Sequence, residues 1–196
     1  MSPRTFHAEQ RLLDLISRIR TWKQGSQRAP HKPLLLLLAL GRVQRGEPRL
    51  VPFSEIEEKL QGLLASYGPA RRSYHPEFPF WHLKTDRLWE VPGGERLKKR
   101  EGSTRPLVTE LRRAAGGFLE EIDELLRANP ELLRQVAHAL LDEHFPASYH
   151  KDLLTAVGLD LTSPHARRNP DFRDQVLNAY GYQCGVRSTI RGSILA

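Results

Sequence analysis

Only one cysteine, Cys184, occurs in the 196 residues. No internal disulfide framework can therefore hold the chain, and a reducing compartment is expected. Long apolar stretches are equally scarce. The longest, LLLLLAL at 34–40, is too short to span a bilayer and lies between His31-Lys32-Pro33 and Gly41-Arg42, which makes it a buried helix. The first ten residues, MSPRTFHAEQ, lack the apolar core of a signal peptide. These absences point to a cytoplasmic protein with no membrane partner. Internal repeats and low-complexity tracts are missing too, while a 39% hydrophobic content is enough to bury a core in a chain this long.

Acidic residues are in deficit, 23 against 30 Lys and Arg, for a net charge of +7. The excess is unevenly spread. Residues 1–50 hold ten basic side chains against three acidic ones, and residues 71–113 hold eleven against six; residues 114–165 reverse the balance with three against nine. Such segregation predicts one cationic surface for a polyanion, with the acidic block as scaffold facing away from it.

Apolar positions Leu12, Leu13, Ile16, Ile19 and Trp22 repeat at helical spacing and predict a helix over 6–23. A loop, QGSQRAPHKP, leads into a central helix from about His31 to Val43, and RGEPRLVPF reads as a turn and a short strand. Ser54 and Glu57 have the spacing of a capping box for the next helix, which Gly68-Pro69 ends. PFWHLKTDRLWEV (79–91) then reads as a β-hairpin about Thr85-Asp86-Arg87, with Leu83, Leu88, Trp89 and Val91 on its buried face. A helix over 107–115 is broken by Gly116-Gly117. FLEEIDELLRAN, a helix opened by Pro130 and a short helix ending at Gly158 complete the scaffold. The expected class is α+β, mainly helical: a winged-helix-like core with a β-hairpin, plus a C-terminal helical scaffold. The domain should occupy residues 1–160, with a linker at 161–170.

Three clusters could carry the function. Arg28, His31 and Lys32 surround the start of a helix, where unpaired amides and the helix dipole favour an anion. Arg71, Arg72 and Tyr74 precede the rigid pair Phe78-Pro79, which could form an apolar dent in a cationic face. On periodicity alone, Phe78, Phe80 and Trp81 could equally all be core. Lys98, Lys99, Arg100 and Arg105 lie in a loop with Ser103 and Thr104, whose hydroxyls could donate to phosphate or cap the following helix. No catalytic or metal site is legible: the position three after Cys184 is Arg187, so no C-x-x-C pair is present to bind zinc.

The motifs RAPHKPLLLL, FPFWHL with LWEV, and RRNPDFRDQVLNAYGYQC, in this order, resemble the sulfur-binding domain and HNH start of phosphorothioate-dependent, McrA-like restriction endonucleases. The resemblance covers most of residues 5–186. It implies recognition of double-stranded DNA in which sulfur replaces one non-bridging phosphate oxygen. It further implies that Phe78, Pro79 and His82 line a sulfur pocket closed by Arg105, and that Arg28, His31 and Lys32 contact the modified strand. Arg71, Arg72, Lys84, Lys98, Lys99 and Arg100 would reach neighbouring phosphates. Phe78 stands where the family often has Tyr, and an imidazole, His82, replaces a small residue. Residues 171–196 would be the truncated start of an HNH module; zinc and a divalent metal are implied only for a complete one. The alternatives are a nuclease active in its own right and a winged-helix regulator that reads base edges without sulfur preference.

Overall fold

The computed structural model describes residues 3–162 apart from 20–22, 25–26 and 29. Chain contacts group Met1–Leu161 into one unit. Trp22, most of the expected linker, and the expected HNH start with Cys184 lie outside the described residues.

Helix α2 (His31–Gln44) is buried at every residue from Pro33 to Gly41. A helix apolar on all sides must be enclosed on all sides, and α2 is. It packs against α3 (Phe53–Tyr67), α4 (Glu77–His82), α6 (Glu120–Ala128), α7 (Pro130–His144) and α8 (Ala147–Val157). Helix α1 (Pro3–Ser17) lies on α7, burying Leu12 and Ile16. Asn129 caps α7, its Oδ1 accepting from the amides of Glu131 and Leu132, both at 3.1 Å. Gly158, at φ +67°, ends α8 as expected of a glycine there. No described helix is long and apolar enough to cross a membrane.

The strands form two small sheets. β1 (Lys23–Gln24) pairs with β2 (Gln27–Arg28) inside the stretch expected to be a loop. β3 (Val51–Pro52), β4 (Trp89–Glu90) and β5 (Ala115–Phe118) form an antiparallel sheet of order β3-β5-β4, with Val51 opposite Gly116 and Trp89 opposite Phe118. The molecule is thus mostly helical α+β with a small three-stranded sheet.

Several local expectations are corrected. The stretch 79–91 is no hairpin: EFPFWH is α4, residues Leu83–Asp86 are a 3-10 turn, and β4 pairs with β5 from a distant segment. Helical spacing brings Phe80 and Leu83, both 0% exposed, onto the same inward side. Leu83, Leu88, Trp89 and Val91 are buried as expected, but in one common core rather than on a hairpin face. Ser54 is not a cap, since α3 begins a residue earlier. The Phe53 amide donates to the Ala114 carbonyl at 2.9 Å, so the sheet supplies the partner a cap would have given. Glu57 instead accepts two hydrogen bonds from Arg112, at 2.6 and 2.8 Å.

Helix α1 stops at Ser17, short of the expected residue 23. The helix expected over 107–115 is only α5 (Val108–Leu111), and Gly116-Gly117 are the central strand. A Cβ at Gly116 would stand 2.7 Å from the Phe80 ring and 2.8 Å from the Trp89 indole nitrogen, and one at Gly117 would overlap the Arg49 carbonyl. The glycines let β5 lie against its neighbours, a close-approach role rather than a helix break.

Candidate nucleic-acid interface

Helix α4 begins among prolines: Pro76 precedes it and Pro79 is its third residue. An amide this close to a helix start has no intrahelical acceptor, so proline there loses no hydrogen bond. The helix turns Pro79, Phe80 and Trp81 inward, all buried, and leaves Phe78 half-buried at the rim. Phe80 packs on Phe53 and Trp89 in the core. Of the aromatics Phe78, Phe80 and Trp81, only Phe78 meets the surface.

Around the Phe78 ring the structure gathers two neighbours in sequence and one residue from a distant segment. The His75 ring stacks on it at 4.6 Å, 9° from parallel, and His82 meets it edge-on at 6.5 Å. The Arg105 guanidinium lies over the same ring, 4.0 Å from its centre. Phe78, His75, Arg100, Ser103 and Arg105 line one depression of about 280 Å³. The loop carrying Arg105 is fixed on both sides. The Arg105 amide donates to Ser103 Oγ at 3.1 Å, and the Trp81 indole N–H donates to the Thr104 carbonyl at 3.2 Å. Ser103 therefore does not cap the following helix, whose N-cap is Leu107.

Electrostatics tie in two further segments. His31, half-buried at the start of α2, has its pKa held below the usual value by burial, then by Arg71 and His75. Burial likewise lowers His82, helped by Arg105, Lys32 and Lys84 and opposed by Asp86. Lys84 rests 3.2 Å above the Trp81 ring, and burial and Lys99 lower its pKa. Lys32 is already engaged: its ammonium donates to Asp86 at 2.6 Å, with the side chains only 16% and 6% exposed. Tyr74 packs half-buried against the core. Arg28 lies in β2, and its side chain is outside the described residues.

The cations fall into two groups. On the scaffold, Arg112 pairs with Glu57, Arg127 with Asp123, Arg134 with Glu131, and Arg42 and Arg45 with Glu47. Arg72, Lys98, Lys99, Arg100 and Arg105 form no ion pair among the described residues. Of these, Arg100 and Arg105 line the depression at Phe78, as a polyanion footprint there would require. Sequence reasoning named most of these residues but missed His75, whose only signal was its place in RRSYHPEF, and Asp86, which gives no sequence sign of pairing with a lysine 54 residues away.

Residues 9–162 match the family described as ScoMcrA-like, DNA sulfur-binding domain. The chain belongs to this family. Among solved structures, the sulfur binding domain of ScoMcrA complexed with phosphorothioated DNA is 29% identical, with a TM-score of 0.67 over 74% of this chain and 94% of that one. The SprMcrA sulfur binding domain, also complexed with phosphorothioated DNA, shares the fold at 24% identity and a TM-score of 0.66, covering 77% of this chain and 94% of that one. The Type IV phosphorothioation-dependent restriction endonuclease ScoMcrA is 30% identical with a TM-score of 0.64; the match covers 91% of this chain but 39% of that longer one. No curated protein matches the sequence.

Proposed function

We propose that this sulfur-binding domain recognises phosphorothioate in double-stranded DNA, with the sulfur seated against Phe78 beside Arg105. The observation that carries the reading is the Arg105 guanidinium 4.0 Å from a half-buried phenyl ring, in a depression that Arg100 also lines, neither arginine forming an ion pair among the described residues. Sulfur is larger, more polarisable and less strongly hydrated than the oxygen it replaces, so an apolar wall accepts it at little cost. A phosphate oxygen pressed on the same wall loses water without gaining a partner, a penalty of roughly 1–3 kcal/mol, or about ten- to a hundredfold in affinity.

Within this reading the pocket residues take different parts. Phe78 supplies the apolar wall and Arg105 the charge. Pro79, buried, acts by fixing the backbone that presents Phe78, and His82 closes the ring's edge. Arg28, His31, Arg71, Arg72, Lys98, Lys99 and Arg100 grip neighbouring phosphates, and Lys84 extends that grip from the Trp81 ring. Lys32 serves the fold through Asp86. Strand, two helices and two further strands joined by the long segment 91–114, in sheet order β3-β5-β4, support a winged-helix core with α4 as the DNA-facing helix and 91–114 as the wing. The domain would act as the reading head of a modification-dependent restriction endonuclease. A base-reading regulator without sulfur preference is disfavoured by the family match.

The direct test is titration of two duplexes that differ by one sulfur atom. The reading requires at least about tenfold tighter binding of the modified duplex; equal affinity would refute it.

A pH dependence follows from the imidazoles. Burial lowers the pKa of both His31 and His82 in the free protein, helped by Arg71 and His75 at His31 and by Arg105, Lys32 and Lys84 at His82, with Asp86 opposing at His82. A phosphate beside them favours their charged forms, so the complex holds more protons than the free domain. Affinity should therefore rise as pH falls through and below the ordinary histidine value of about 6.5, and be flat well above it. Anisotropy titrations between about pH 8 and pH 6 should show several-fold tightening, largely removed in His31→Gln/His82→Gln.

A further inference from the structure

A second cleft, apart from the depression at Phe78, is lined in part by the turn that follows α4. It holds about 560 Å³ between α1, the 3-10 turn Leu83–Asp86 with Arg87, and α6. His7 and Arg11 from α1 and Lys84 and Arg87 from the turn line it, over an aliphatic floor that includes Leu12 and Ile122. Glu121 is the only carboxylate among the described residues that line it. Resting on the sulfur-recognition reading above, we propose that this cleft is a second contact for the DNA backbone, taking a sugar-phosphate run that flanks the modified position.

Three observations converge on it. The first is continuity. Lys84 lines the cleft and also lies on the Trp81 ring, whose indole N–H holds the loop carrying Arg105. One lysine thus joins the two places, and a duplex lying over Phe78 has a cationic path into the cleft.

The second is charge without a partner. Arg11 and Arg87 are exposed and form no ion pair among the described residues, whereas the scaffold arginines are paired with carboxylates. The low-dielectric floor strengthens attraction between such cations and a phosphate, and an apolar wall suits a deoxyribose ring.

The third is backbone strain. Arg87 is the only non-glycine with positive φ among the described residues, at +58°. A side chain in the left-handed region is costly for arginine, and glycine would occupy it freely. Strain of this kind gathers at functional positions. Here it puts a long cationic side chain at a turn where the fold alone would be served by glycine.

Glu121 sets the far border. It sits on the acidic helix α6 and repels phosphate, so the strand is confined to the α1 and turn side. This explains why the acidic block begins at the edge of the cleft.

The experiment uses Arg87→Gly, Arg11→Gln and their combination, with thermal unfolding as a control, on paired duplexes with and without one sulfur. Each pair is made in about one helical turn (~10 bp) and about two turns (~20 bp). Arg87→Gly should fold at least as stably as the parent. The double variant should bind the longer duplexes about tenfold more weakly, modified and unmodified alike, with a salt slope shallower by about two contacts. Its sulfur preference and its affinity for the short duplexes should match the parent's. Glu121→Gln should tighten the longer duplexes several-fold. Parental affinity and salt slope in the folded double variant would overturn the inference and leave the cleft to some other partner. Failure of the parent to prefer sulfur would instead sink the functional reading, whatever the arginine variants do.

Discussion

Phe78→Ala should reduce the preference for a phosphorothioate duplex over its oxygen counterpart by about ten- to a hundredfold, while changing the affinity for unmodified DNA by no more than about threefold. The reason lies in how the site divides its labour. Exposed cations attract any duplex, and they remain in the variant. What disappears is the apolar wall that distinguishes a soft, weakly hydrated atom from a hard, strongly hydrated one. The Arg105 guanidinium also loses the ring it lies on and gains freedom and water. Phe78→Leu keeps an apolar wall and should retain part of the preference, whereas Phe78→Ser should behave like Ala. Competition titration with the duplex pair reads the ratio directly, and circular dichroism confirms folding. A Phe78→Ala protein with parental preference would place the sulfur elsewhere.

Lys32→Met should destabilise the domain by about 3–5 kcal/mol, because it leaves a buried carboxylate without its counter-charge. The Asp86 side chain is 6% exposed and that of its lysine partner 16%, so water cannot readily replace the lost ammonium. The double variant Lys32→Met/Asp86→Leu should recover most of the loss, since an apolar pair of similar volume needs no desolvation. Denaturant unfolding measures both. The pair also anchors the turn carrying Lys84 and Arg87 to the start of α2, so the single variant should weaken DNA binding through that turn. If Lys32→Met instead unfolds like the parent but binds all duplexes weakly, the lysine faces phosphate and the buried pairing is not its role.

Where sequence reasoning succeeded, the signal was local. A run of seven apolar residues between polar ends can only be an enclosed helix, and α2 is one. Pro130 after Asn129, and Gly158 after a short amphipathic stretch, mark helix ends because their own dihedral and hydrogen-bonding preferences do so. Where it failed, the deciding partner was far away. Residues 79–91 carry the aromatic and β-branched content of strands, yet EFPFWH became helical because Phe80 and Leu83 had to enter the same core on one side. Ser54 has the spacing of a cap, but the Ala114 carbonyl arrived first. Gly116-Gly117 look like a break until Phe80, Trp89 and Arg49 are seen pressing on them.

The binding site follows the same division. The sequence by itself determined that the protein is cationic, carries its positive charge in blocks, and sets an aromatic-proline pair among arginines, because these are properties of composition and order. Only the tertiary structure decided which aromatic reaches the surface, that Arg105 lies upon it with His75 and His82 beside it, and that Lys32 is spent on Asp86 while Arg11 and Arg87 are not. Burial and charge pairing depend on which distant segments meet, and that is settled by packing the whole core at once rather than by any residue's neighbours along the chain.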